Sequence, residues 1–247
     1  MAKVLASPAA RQSLRGIVAA GGDGTVSDVF NRFPGIPIAI LPCGTENLLS
    51  RFLKSPTSGR GVAAAIQQGT LRRLDLCAVG ERRFALMASA GFDADVVHRM
   101  TAARVGHITR GTYLRHIWNS WRKYVPVRLE VWVDDDPQPL SGYLAIVTNL
   151  PIYALGLQLA PAARGDDGQA DLTLFQRCST FQMLRYLYKV VRVAHEELKD
   201  VVLRRGRRFR IVSEVPVPVQ MDGDPAGWTP LEIEILPGAL QVFVSSN

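Results

Sequence analysis

The stretch Gly16–Phe30, GIVAAGGDGTVSDVF, decides how this chain is read. Ile17, Val18, Ala19 and Ala20 form a short apolar run suited to a buried strand. Val26, Val29, Phe30 and Phe33 recur at helical spacing and mark one apolar face. Between them, Gly21, Gly22 and Gly24 make a tight turn from strand to helix. Bare backbone lets a ligand come close, and the first turn of a helix carries N–H groups with no intrahelical acceptor. Such a turn suits an anion, above all a phosphate. Asp23 is then the anomaly, because a carboxylate repels phosphate. Two roles reconcile it: a divalent cation between the charges, or proton abstraction from an attacking hydroxyl. Both belong to phosphoryl transfer. A solvated aspartate in an ordinary glycine turn is the plainer alternative.

The pattern repeats downstream. IPIAILP (Ile36–Pro42) reads as a second apolar strand, followed by CGTENLLSRFL. Gly44 and Thr45 make its turn, Glu46 and Asn47 open a helix, and Thr45 is placed to cap it and to bond a phosphate. GVAAAIQQG (Gly61–Gly69) is a helix with a glycine stop. The βαβα order predicts a parallel sheet with ligands at the carboxyl ends of its strands. From Arg72 onward, strands dominate, RRFALMASAGF (Arg82–Phe92), LQLAP, LEIEIL and LQVFVS among them. They predict an antiparallel sandwich interrupted by two helices, roughly Thr112–Tyr124 and Thr180–Lys199. The expected organisation is an α/β nucleotide-binding domain over residues 1–74 and a β-sandwich lipid or substrate domain over 75–247.

Composition narrows the partners. The 247 residues carry a net charge of +7, which favours a polyanion: nucleotide, nucleic acid or an acidic membrane surface. No RNA-binding or recognition-helix pattern supports nucleic acid. Cys43, Cys77 and Cys178 are scattered and read as reduced thiols of a cytoplasmic protein, and the four histidines lack zinc-ligand spacing. No signal peptide is visible. The long uncharged stretch Leu140–Ala163 is broken by Asn149, Pro151, Gly156 and Pro161, so it reads as two strands and a turn, not a membrane span. The basic aromatic run LRHIWNSWRKY and the RRGRRFR segment suit either an anionic surface or ordinary packing and solvation.

Two further turns carry carboxylates: MDGDPAG (Met221–Gly227) and APAARGDDGQADLTLF (Ala160–Phe175). Each is a turn in its own right. With GGDGT, LPCGTEN, RRLDL and GFDA, in this order, they resemble the diacylglycerol kinase catalytic-domain family, which includes bacterial lipid kinases similar to sphingosine and ceramide kinases. The resemblance runs from about Gly16 to Val244. It implies an α/β domain, a mainly antiparallel β-sandwich domain and an active site in the cleft between them. Gly21, Gly22, Asp23, Gly24 and Thr25 match the nucleotide loop; Gly44, Thr45 and Asn47 match the second phosphate turn. Asp75 matches an acid that joins Asp23 in a magnesium–water network. Asp167 matches a structural magnesium ligand, completed by carbonyls near Arg164 and Gln169. Asp224 stands where the family's general base, usually glutamate, deprotonates the lipid hydroxyl.

Departures accompany the match. Only 20 residues precede Gly21, so the family's first strand and helix are expected to be missing. Leu48 replaces an aspartate of the magnesium network. The resemblance implies an ATP- and magnesium-dependent lipid kinase that is cytoplasmic and peripheral at the membrane. It has no transmembrane segment and no nucleic-acid partner; a homodimer stays open. A pseudokinase and a small-molecule kinase of the NAD kinase type are the alternatives.

Overall fold

The computed structural model describes residues 14–102, 124–153 and 156–245. The basic aromatic helix expected at 112–124 lies outside them except for Tyr124. The chain divides into two compact units. One comprises Met1–Leu76, Asp166–Gly168 and Leu236–Asn247; the other comprises Cys77–Gly165 and Gln169–Ile235.

In the first unit, β1 (Ile17–Gly21) runs into α1 (Asp23–Arg32), and β2 (Ile38–Pro42) leads to α2 (Leu48–Leu53) and α3 (Gly59–Gln68). The apolar runs bury as their spacing requires: Ile17, Ala19, Ile38 and Ile40 from the strands, Val26 and Phe30 from α1. β1 and β2 pair in parallel, with Ile17 opposite Ile38 and Gly21 opposite Pro42. Ser58 caps α3 by accepting a bond from the Gly61 N–H, and Gly69, at φ 75°, ends it.

Two distant pieces of chain meet in this unit at one side chain. Asp75 lies on β3 (Leu71–Val79) and is 2 % exposed, so its carboxylate must find donors inside the protein. One oxygen accepts the Gly168 N–H and the other the Gly238 N–H, each at 2.7 Å. Beside this clip, Arg72 reaches Asp166 at 3.6 Å and stacks over Phe52.

The second unit is a β-sandwich. One sheet has the order β10 (Val201–Gly206), β9 (Ala170–Phe175), β8 (Leu144–Thr148), β5 (Met87–Ala90), β12 (Pro218–Met221), β13 (Asp224–Trp228), with antiparallel pairs throughout. The facing layer holds β7 (Leu140–Gly142), β6 (Leu129–Val133), β11 (Arg208–Ser213) and the start of β14 (Leu231–Phe243), and the hairpin partner β4 (Arg82–Phe84) extends β3. β6 shows the period of two: Leu129, Val131 and Val133 enter the core, while Glu130 and Trp132 stay half-exposed. β8 and β9 are buried at every position because α5 (Thr180–Val191) lays Tyr186 and Val190 against their outer face.

The α/β and sandwich classes hold; four local expectations do not. A helix, α4 (Phe92–Ala102), follows Gly91, where a strand was expected to run on to Phe92. Gly91, at φ 129°, turns the chain, and Asp93 and Asp95 favour the positive end of the helix. LQLAP forms no strand. α5 stops at Val191, and a 3₁₀ turn, His195–Glu197, follows. LEIEIL and LQVFVS are one strand, β14, continuous through Gly238 at φ 61° because it exchanges β11 for β2 as its partner. Among the described residues, no helix is long and apolar enough to cross a membrane.

Asp75→Ala removes one acceptor from two backbone N–H groups. The expected loss is about 3 kcal/mol or more of unfolding free energy, read from urea denaturation, with Asp75→Asn intermediate because it keeps one acceptor oxygen.

Candidate active site

The parallel register brings the two glycine turns together. Gly21 and Pro42 are partners, so the residues after them emerge side by side. A Cβ on Gly44 would lie 2.4 Å from the Cα of Gly22, and one on Gly22 would lie 3.2 Å from the Cα of Gly44. Only glycine allows backbone to meet backbone here. A Cβ on Gly21 would overlap the Thr25 side chain, which folds back over the strand end. Gly24, in the first turn of α1, has nothing within 4 Å of such a Cβ, and its face is open. Gly22, the N-cap of α1, offers no side chain to cap the helix.

Asp23 takes a task that its local sequence does not disclose. Its two oxygens accept the N–H groups of Leu48 at 2.9 Å and Leu49 at 3.1 Å. The carboxylate thus caps α2 across 25 residues of chain, which suits the positive end of a helix dipole. The expected cap at Thr45 is not formed. α2 begins at Leu48, Thr45 is exposed, and the N-cap position belongs to Asn47 in the left-handed region at φ 48°. The Asn47 side chain turns back instead: its amide donates to the Gly44 carbonyl at 2.7 Å and its Oδ1 accepts the Gly44 N–H at 2.9 Å. A charged acceptor that satisfies two donors outcompetes one threonine hydroxyl. Leu48 is 5 % exposed and belongs to the core.

The acid-rich turn of the sandwich unit is a two-residue hairpin. Asp222, at φ 49°, and Gly223, at φ 83°, join β12 to β13 with the backbone signs of a type I′ turn. The Asp222 carboxylate accepts three consecutive N–H groups, from Ala85, Leu86 and Met87, at 2.9–3.0 Å. Asp224, by contrast, has a side chain 52 % exposed, with the Arg82 guanidinium 3.9 Å away. The same Arg82 donates to the Pro225 carbonyl at 3.1 Å. The turn aspartate is therefore the anchor, and the next acid is the one presented.

Sequence reasoning passed over a buried relay behind this turn. Ser89 Oγ donates to Asp93 Oδ2 at 2.6 Å, and Tyr153 Oη donates to the same oxygen at 2.8 Å. Gln220 Nε2 donates to Ser89 Oγ at 2.9 Å, while the Gln220 carbonyl accepts the Gly223 N–H at 2.9 Å. The hydrogen bonds run unbroken from the start of α4 to the hairpin that carries Asp224. Desolvation holds the Asp93 carboxyl above its ordinary pKa, against the lowering effect of its hydrogen bonds. The signal in the sequence was the GFDA match, which named no role for the aspartate.

Among the described residues, no three His, Cys, Asp or Glu side chains converge as a metal cluster. Both oxygens of Asp23 and both of Asp75 already accept backbone N–H groups. Asp167 sits between Asp166 and Gly168, flanked in sequence by Gly165 at φ 67° and Gly168 at φ 74°; Arg164 and Gln169 border the same loop. The bare backbone at Gly22, Gly24 and Gly44 leaves room for a phosphate, and Asp23 and Asp75, the acids expected to meet magnesium, each engage two backbone donors.

Comparison with known proteins agrees with this geometry. Residues 1–79 match the diacylglycerol kinase catalytic domain, and residues 86–244 match the YegS C-terminal NAD kinase beta sandwich-like domain. The diacylglycerol kinase of Mycobacterium tuberculosis (strain ATCC 25618 / H37Rv) is 31 % identical, over 98 % of this chain and 81 % of its own. A probable lipid kinase YegS-like protein of Chromohalobacter salexigens is 25 % identical, over 96 % of this chain and 78 % of its own. The solved structure of a diacylglycerol kinase from Bacillus anthracis str. Sterne has the same fold, with a TM-score of 0.66 at 18 % identity, covering 95 % of this chain and 78 % of that one. The chain belongs to the diacylglycerol kinase catalytic-domain family. The family is one of kinases, which transfer phosphoryl groups, and membership implies ATP as donor.

The raised pKa of Asp93 makes a signed prediction. Protonated Asp93 contributes stability that is complete below the unfolded value of 3.8 and is lost as pH rises through the folded value. Asp93→Asn keeps an acceptor and carries no charge. Urea unfolding between about pH 4 and pH 7 should show the variant gaining stability relative to the parent as pH rises. A constant difference across that range contradicts the assignment.

Proposed function

We propose that this chain is an ATP-dependent lipid kinase that transfers the γ-phosphoryl group to a hydroxyl of a diacylglycerol-like or sphingoid lipid. The observation that carries it is the apposition of the two glycine turns, Gly22 against Gly44, beside the open face of Gly24. The names of the relatives, a diacylglycerol kinase and a lipid kinase, supply the acceptor class. The nucleotide is assigned to the α/β part, residues 1–74, and the lipid to the sandwich part, residues 75–247. Magnesium enters as the counterion of the nucleotide phosphates and offsets their charge.

The residues then divide the work. N–H groups of Gly22, Asp23 and Gly24, with the Thr45 hydroxyl, hold phosphate oxygens, and Gly44 supplies the close approach of the second turn. Asp23 holds α2 and, through it, the second turn, so its part is positioning. Asp224 accepts the proton of the lipid hydroxyl as the hydroxyl oxygen attacks the γ-phosphorus in line and ADP departs. Asp222 and the Gln220 relay fix the hairpin from which Asp224 acts. Retention of all these groups favours turnover over a pseudokinase, and the DG-acid hairpin favours a lipid over a small-molecule acceptor.

The test is transfer of label from γ-labelled ATP with magnesium to a lipid extract in mixed micelles. Asp224→Asn should lower the rate by about a hundredfold or more at unchanged melting temperature, since its side chain is exposed. Asp222→Ala should lower the melting temperature itself, through the loss of three hydrogen bonds. The glycines separate fold from function in the same way. Gly44→Ala forces two backbones apart and costs about 1–3 kcal/mol of stability. Gly24→Ala meets open space and favours the helix, so stability is kept or raised while transfer falls. Unchanged transfer in Gly24→Ala would place the phosphates elsewhere, and no labelled lipid from the folded parent would refute the kinase reading.

A further inference from the structure

α5 is amphipathic twice over. Tyr186 and Val190 point inward, onto the outer face of β8 and β9. Tyr186 Oη donates to Asp200 at 2.9 Å, and Arg185 binds the same carboxylate, so the helix is anchored along its inner edge. Its outer side is not polar. Phe181 is 72 % exposed, Val191 59 %, Leu184 and Tyr188 55 % each, and Leu187 50 %. At 3.6 residues per turn these five fall within an arc of about 120°. Arg185, Lys189 and Arg192 fall together along one border of that arc. The Arg192 guanidinium lies over the Tyr188 ring at 4.9 Å.

A surface helix of a globular protein normally turns charged residues to water on this side. Contiguous exposed apolar surface marks an interaction site. Charge identifies the partner. Residues 176–194 hold four basic residues, Arg177, Arg185, Lys189 and Arg192, and no acidic one; Arg185 pairs with Asp200 and Lys189 with Glu197, each at 2.9 Å, so the excess positive charge rests on Arg177 and Arg192, in a chain of net charge +7. Apposition of two copies through this face would set those cations against one another. An anionic bilayer satisfies both halves of the pattern: acyl chains take the apolar arc, and headgroup phosphates take the basic border, where long side chains extend to the interface.

We infer that α5 is a membrane-docking helix that seats this protein on anionic lipid bilayers. The inference deepens the lipid-kinase reading and rests on it for its purpose, because a lipid acceptor resides in a membrane. The docking surface itself stands on exposure and charge alone.

The experiment floats the full chain with vesicles of phosphatidylcholine alone and with vesicles in which a third of the lipid is phosphatidylglycerol. The parent should bind the anionic vesicles and bind the neutral ones weakly. Leu184→Glu with Val191→Glu should weaken binding by about tenfold or more, and Arg177→Gln with Arg192→Gln by about fivefold per charge. All variants change exposed or half-exposed side chains, and unchanged thermal melting verifies their folding. Phosphorylation of a dispersed short-chain diacylglycerol should remain at the parental rate in the double Glu variant. Vesicle binding unaffected by both pairs of substitutions overturns the inference. So does failure of the parent to float, or a dimer in sedimentation that the double Glu variant dissociates while still binding vesicles. If the parent phosphorylates neither a diacylglycerol nor a sphingoid base, the kinase reading falls, and flotation still decides the role of α5.

Discussion

The close approach of Gly22 and Gly44 is the constraint on which the candidate site depends. Two parallel strands in register deliver two chain reversals to the same place, and no side chain fits between them. The contact is held from both sides. Asn47 grips Gly44 through its N–H and its carbonyl, and Asp23 fastens the helix that follows. An aspartate inside a glycine turn would repel the anion that the turn attracts, but this one spends its charge on two backbone donors. The phosphate surface proposed here is backbone N–H beside an open glycine face, a preorganised arrangement that would need little rearrangement when charge arrives.

The same device recurs with other aspartates. Asp75 spans Gly168 and Gly238, and Asp222 takes three N–H groups from the start of β5. In each case a carboxylate with several acceptor sites replaces a stretch of regular pairing that the turn geometry cannot supply. Both acids have a structural task. Asp224, exposed beside Arg82, is the acid to which the proposed mechanism gives the proton. An acid's place in a motif does not distinguish these roles; its donor partners do.

Family membership and the outer face of α5 answer different questions. The first gives the class of reaction, phosphoryl transfer by a kinase. The second concerns how a chain without a membrane-crossing helix among its described residues would meet a lipid. A helix anchored through Asp200 and bare of acids on its outer side is an economical solution, because it uses an element already needed to cover β8 and β9.

Much of this was legible in the chain itself. The strand–turn–helix of Gly16–Phe30, the second turn at Gly44 and the sandwich strands follow from hydrophobic period and glycine placement, which are local properties. So does the hairpin at Asp222–Gly223, because Asp-Gly favours the left-handed backbone of that turn. What required the tertiary structure were the long-range partners. Asp23 finds Leu48 and Leu49, Asp75 finds Gly168 and Gly238, and Gln220 links Asp93 to Gly223. A carboxylate's sequence context shows that it must be satisfied, not which N–H will do so. The helix at Phe92 was hidden for the same reason, since its short apolar opening resembles the strand before it and only the turn at Gly91 separates them. Periodicity marks α5 as a helix, but only packing shows which of its two apolar faces is covered, and therefore which one is left for a partner.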